Sequence, residues 1–102
     1  MSENHEISPA ADQDLSEIFD YTEQNYGTKQ AVAYLEALAE TFTELGYNPR
    51  LGRGRDRIRP GLRSFPKNSH MIFYRIRSGK VWIVRVISIQ RDVMKIFSNP
   101  AP

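Results

Sequence analysis

The apolar residues of this chain change their spacing near Asn48, and that change limits the fold more than any other feature. Before it, they recur at helical intervals. Ser8-Pro9 opens the first helical pattern, because the serine can cap free amides and proline suits the first helical position. Asp12 and Asp14 follow in the opening turns, where the helix dipole favours acids. Ala11, Leu15, Ile18, Phe19, Thr22 and Tyr26 form one stripe, and Gly27 ends it. A second pattern runs from Thr28 to Leu45 with the stripe Ala31, Tyr34, Leu35, Leu38, Phe42 and Leu45. Gly46 is expected to stop it, and Pro49 reinforces the stop. Two such helices joined at a glycine predict an antiparallel helix hairpin.

After Asn48 the pattern belongs to strands. Gly61 to Phe65 is expected to be extended, and Pro66-Lys67-Asn68-Ser69 to turn. His70 to Ile76 and Val81 to Ile89 are rich in β-branched and aromatic residues, and Ser78-Gly79 between them is a two-residue turn. His5 to Ile7 is a candidate short edge strand. The turn predicts the pairs Ile76 with Val81, Tyr74 with Ile83, and Ile72 with Arg85. Ile72, Tyr74, Ile76, Val81 and Ile83 are expected to face the helices. Met71, Phe73, Arg75, Trp82, Val84 and Val86 share the other face, although the alternation also allows the reverse assignment. Neither face is cleanly polar, so the second one also invites a cover. The expected fold is α+β, an N-terminal antiparallel helix hairpin packed on a small antiparallel sheet. The 102 residues suit one domain spanning 1–102, with residues 98–102 too short and proline-rich for a long helix and expected to form a flexible tail.

Charge follows the same division. Residues 1–49 hold ten acids against Lys29, and residues 50–102 hold ten arginines and three lysines against Asp56 and Asp92. The net +2 is the small remainder of two opposed charges, and such a chain offers one surface to cations and another to anions. Arginine predominates in the basic half, and its planar fork suits phosphate and carboxylate. The run Arg50–Arg63 alternates arginine with glycine or an acid. It predicts an exposed connection with one helical turn near Asp56–Ile58. Two readings of that run stay open. It can contact phosphate in a salt-dependent way, or it can be a solvated loop answering the acidic helices.

The chain has no cysteine, which excludes disulfides and thiolate zinc sites and favours the cytoplasm. No apolar run approaches the length of a membrane span, and the polar, acidic start is not a signal peptide. His5 and His70 are far apart and belong to no metal-ligand motif, so neither metal nor cofactor is expected. His70 is expected to be a satisfied surface histidine, Tyr34 and Tyr74 core hydroxyls, and Arg85 an ion-pair partner. Arg75 is expected to stack on Trp82, and Asp56 and Asp92 to accept salt bridges. Ser64, Ser69 and Ser88 lack the partners of a serine triad.

Several segments, in order and at their spacing, resemble one family. They are Ile7-Ser8-Pro9-Ala10-Ala11, Asp14-Leu15-Ser16-Glu17-Ile18-Phe19-Asp20-Tyr21 and the helical stretch Ala33 to Leu45. Pro49-Arg50-Leu51-Gly52-Arg53, Arg59-Pro60-Gly61-Leu62-Arg63-Ser64-Phe65-Pro66, Ile72-Phe73-Tyr74-Arg75, Val84-Arg85-Val86 and Arg91-Asp92 complete the set. Together they resemble the ParE branch of the RelE/ParE toxins of bacterial type II toxin–antitoxin modules.

The resemblance implies a toxin that inhibits DNA gyrase and is neutralised by a ParD-like antitoxin, with operator DNA bound indirectly through that antitoxin. It implies no membrane partner. On this reading Leu15, Phe19, Leu38, Phe42, Phe73, Trp82 and Val84 are the expected antitoxin-binding residues. Arg53, Arg55, Arg59, Arg63, Arg75 and Arg91 are the expected target-binding residues. The rivals are a ribosome-dependent messenger ribonuclease and a plain nucleic-acid-binding module. The positions approximately matching the ribonucleases' basic side chains are Leu62, Ser64 and Met71, which cannot hold a scissile phosphate. Ser88 and Ile89 stand where relatives carry a histidine. The resemblance therefore implies no catalytic residue.

Overall fold

The computed structural model describes residues 4–98. The chain runs β1 (His5–Ile7), α1 (Pro9–Tyr26), α2 (Thr28–Tyr47), β2 (Arg53–Gly54), β3 (Arg63–Lys67), β4 (His70–Arg77), β5 (Lys80–Ser88) and α3 (Val93–Ser98). The strands form one sheet in the order β1-β5-β4-β3-β2. The helix hairpin and the β4–β5 hairpin match the sequence expectation, and the candidate edge strand His5–Ile7 is present. It pairs parallel to β5, whereas the other ladders are antiparallel. The sheet is therefore mixed.

Local chemistry accounts for the element ends. The Ser8 side chain accepts the Ala11 amide at 2.9 Å and caps α1. Gly27, with φ of +94°, takes the left-handed turn between the helices. Gly46 does not stop α2, which continues to Tyr47. A side chain at that position would collide with the Asn4 side chain. Gly46 thus serves close packing against the chain's beginning. Asn68 at φ +54°, and Ser78 and Gly79 at φ +51° and +78°, occupy the left-handed positions of the two sheet turns. Residues 55–59 make the expected helical turn, with the Arg59 amide donating to the Arg55 carbonyl at 3.2 Å.

One face of the sheet packs on the helices. Ala11, Ile18, Leu38, Phe42 and Leu45 meet Ile72, Tyr74, Val81, Ile83 and Val86 in the main core. The second face carries a smaller cluster of Leu62, Phe73, Ile87 and Phe97. Several local expectations change. A bulge between Phe73 and Tyr74 leaves Val84 as an extra residue on β5. Ile72 therefore faces Val86 and not Arg85, and beyond the bulge the alternation inverts. Val86 turns to the helices and Ile87 to the second face. Ile76 and Tyr26 lie near the ends of their elements and are exposed. Residues 93–98 form α3, and Phe97 packs edge-on against Phe73 with centroids 5.0 Å apart. Of the expected tail, Ser98 closes α3, and residues 99–102 lie outside the described residues.

Candidate functional site

The loop Asn48–Leu62 is held in shape by contacts the sequence did not reveal. Tyr74 is buried in the main core, and its hydroxyl donates to the Pro49 carbonyl at 2.7 Å and accepts the Gly52 amide at 2.8 Å. A Cβ at Gly52 would lie 2.5 Å from that hydroxyl and 2.6 Å from the Ser64 carbonyl oxygen. Only glycine permits the approach. Asp56 accepts the Gly61 amide at 2.8 Å, and Asp92 accepts the Lys95 amide at 3.2 Å in the first turn of α3. These two acids hold backbone amides rather than salt bridges.

Four of the six expected target-binding arginines brace this loop. Arg55 donates to the Ser64 hydroxyl at 2.7 Å. Arg63 donates to the Gly52 carbonyl at 2.6 Å and to the Arg50 carbonyl at 3.2 Å. Arg75 reaches the Pro60 carbonyl at 3.0 Å. Arg59 lies over the Phe97 ring at 5.0 Å and reaches the Phe97 carbonyl at 3.3 Å. Arg53 is exposed on the short edge strand β2, and Arg50 and Arg57 are exposed beside it. The cation over Trp82 is Arg77, at 4.9 Å. Arg75 sits opposite Trp82 in register but is drawn away to Pro60.

Among the described residues two ion pairs join the chain to itself, Lys80–Glu6 and Arg85–Asp14. Neither pair reaches the arginine loop, so the acidic helices do not answer it, and Arg50, Arg53 and Arg57 face solvent. Asp14 is 6% exposed. Its carboxylate takes Arg85 Nε at 2.7 Å, Arg85 Nη2 at 2.8 Å and the Val86 amide at 2.9 Å. The hydrogen bond to Asp14 raises the Arg85 pKa, against the opposing effect of burial.

A groove of about 1040 Å³ runs between α1, the start of α2, the start of β4 and the end of β5. Tyr21, Tyr34, His70, Ser88 and Arg91 line it, with Val86 and Ile18 beneath. The Tyr34 hydroxyl is 2.7 Å from His70 Nδ1. Burial pushes the His70 pKa down, partly offset by Asp14. One arginine and no lysine line this space, which is far roomier than a phosphate needs. Tyr34 and His70 were visible separately in the sequence, but only the fold brings them together. The expected antitoxin-binding residues divide. Leu15, Phe19, Trp82 and Val84 are half-buried, and Leu38, Phe42 and Phe73 are buried within the chain. Phe73 lies beneath α3. No group of three metal-ligating residues occurs among the described residues.

The family described as ParE toxin of type II toxin-antitoxin system, parDE, matches residues 6–93. The chain belongs to the ParE toxin family. The matched span includes both long helices, the pinned loop and nearly all of the sheet. Toxin ParE1 of Mycobacterium tuberculosis is 42% identical over 94 residues, covering 91% of this chain and 96% of that protein. Toxin ParE1 of Caulobacter vibrioides is 34% identical over 83 residues, covering 81% and 85%. Toxin ParE3 of the same organism is 38% identical over 74 residues, covering 72% and 74%. A solved structure described as the chromosomal ParDE TA system from P. aeruginosa shares the fold. Its TM-score is 0.73 at 22% identity, covering 88% of this chain and 97% of that one.

Proposed function

We propose that this chain, as a ParE-family toxin of a type II toxin–antitoxin system, acts in the cytoplasm by docking on DNA gyrase. It performs no bond chemistry itself and is neutralised by a ParD-like antitoxin, which also carries any contact with operator DNA. The observation that supports this most is the uncompensated arginine surface. Arg50, Arg53 and Arg57 are exposed on a loop made rigid by Tyr74 and by Arg55, Arg63 and Arg75. A preorganised cationic surface loses little entropy on meeting a polyanionic target or an acidic protein face. The half-buried Leu15, Phe19, Trp82 and Val84 provide apolar area at the surface for the antitoxin.

The test is expression of the chain in bacteria, alone and with the product of the adjacent small gene. Growth arrest with filamentation and a DNA-damage response, relieved by the second protein, is the expected outcome. Arrest accompanied by translation-dependent messenger cleavage and no DNA-damage response would overturn the gyrase reading.

A further inference from the structure

The outer edge of β5 is open over part of its length. β1 covers it only as far as Ile7 opposite Ile83, whereas β5 continues to Ser88. In an antiparallel ladder the N–H and C=O of one residue point to the same side. The Val86 amide donates to Asp14 on α1 at 2.9 Å, so Val86 presents both groups to the outer side, away from β4. Ser88 pairs with His70, and the Ile89 amide donates to the Ser69 carbonyl at 3.0 Å, so Ser88 likewise points away from β4, where its carbonyl accepts the Arg91 amide at 3.0 Å. Each residue thus has one group engaged and one open. Among the described residues the Val86 carbonyl and the Ser88 amide are the open pair, and both residues line the groove.

This arrangement selects a direction. An antiparallel guest strand exchanges two hydrogen bonds with a single host residue. Asp14 blocks half of that exchange at Val86, and Arg91 blocks half at Ser88. A parallel guest residue instead donates to one host residue and accepts from the residue two further on. Val86 and Ser88 offer that pair, straddling Ile87. A parallel guest also runs toward the end of β5, where the exposed Arg91 lines the groove. Tyrosines flank this path and give contact area at low entropic cost.

We propose that the groove receives an extended segment of the antitoxin, added parallel to β5, with one guest residue bridging the Val86 carbonyl and the Ser88 amide. A carboxylate on the C-terminal side of that residue pairs with Arg91. This inference rests on the antitoxin reading above and adds, apart from the Leu15, Phe19, Trp82 and Val84 surface, a second place and a direction for one segment.

The test uses the complex with the product of the adjacent small gene. Ser88→Pro deletes the outward amide, and proline is tolerated where a strand's N–H faces away from its partner. Ser88→Ala keeps the amide and removes only the hydroxyl that accepts the Gln90 amide. Ser88→Pro is expected to weaken the complex about fivefold to tenfold, the effect of one backbone hydrogen bond, and Ser88→Ala less than about twofold. Arg91→Glu is expected to weaken it further, with a shallower salt dependence. In the unmutated complex, hydrogen exchange at the Ser88 amide should slow relative to the free chain, a readout that does not depend on how the variants fold. A complex in which that amide exchanges as fast as in the free chain would overturn the inference alone. The absence of any complex would overturn the antitoxin reading and this inference with it.

Discussion

Replacing Asp14 with alanine should be among the most damaging single changes available on α1. The carboxylate takes three hydrogen bonds, two from Arg85 and one from the Val86 amide. Leaving a buried amide unpaired costs about 1–3 kcal/mol. Removing one partner of a fully buried ion pair costs about 3–5 kcal/mol. Arg85 keeps 25% of its side-chain surface in water and can partly rehydrate, so about 2 kcal/mol is the appropriate share here. The two effects give a loss of about 3–5 kcal/mol, or roughly 15–30 °C in Tm for a domain of this size. Asp14→Asn keeps an acceptor while losing the charge, and should fall near half that loss. The double variant Asp14→Leu with Arg85→Met removes both charges but still strands the Val86 amide, so it should recover only part. Urea unfolding with an unchanged m-value measures each step. A loss below about 1 kcal/mol for Asp14→Ala, or full recovery in the double variant, would refute the assignment of Asp14 as the cap of this sheet edge.

Tyr74→Phe removes the partner of both Pro49 and Gly52 and should cost about 1–3 kcal/mol. Hydrogen exchange at Gly52 should accelerate more than at core amides, and uniform acceleration would count against a local pin. Acid should weaken the fold through His70. Its folded pKa is lowered by burial, so below the unfolded value near 6.5 the unfolded chain binds more protons. This contribution is complete above that pH and is lost as pH falls from there through the lower folded value. A scan of Tm from pH 7.5 to 5.5 should show the decline, and His70→Gln should reduce it, leaving the part contributed by His5, whose pKa burial also lowers. Reversing the exposed Arg53 and Arg57 to glutamate should leave Tm within about 2 °C, because neither braces the fold, while abolishing growth arrest. Undiminished toxicity would remove the arginine surface from the mechanism.

Much of the fold was legible because its determinants are local. The Ser8-Pro9 cap, the glycine at position 27 and the Ser78-Gly79 turn are short-range signals, and they fixed two helices and a hairpin. What the sequence hid was long-range. The bulge at Phe73/Tyr74 shifts alternation by one residue, and no periodicity within β5 announces it. Gly46 looks like a helix stop until Asn4 is seen packed against it. The arginine run looked uniform, yet Arg55, Arg59 and Arg63 brace the loop while Arg53 and Arg57 face solvent, a division set by the carbonyls and hydroxyl that the fold brings near. α3 was missed because six residues carry too little pattern, and Phe97 is fixed by Phe73 and Arg59 from elsewhere in the chain. The Pro49–Gly52 segment carried part of the family resemblance. Its physical reason, a tyrosine hydroxyl that leaves no room for a Cβ, emerged only from the packing.

The most direct measurement adds the purified chain to DNA gyrase and supercoiled or relaxed plasmid, with and without the antitoxin. Supercoiling should be blocked, or cleaved DNA should accumulate, only when gyrase is present, and the antitoxin should reverse the effect. Gyrase that works normally in a large molar excess of active, folded toxin would contradict the gyrase reading.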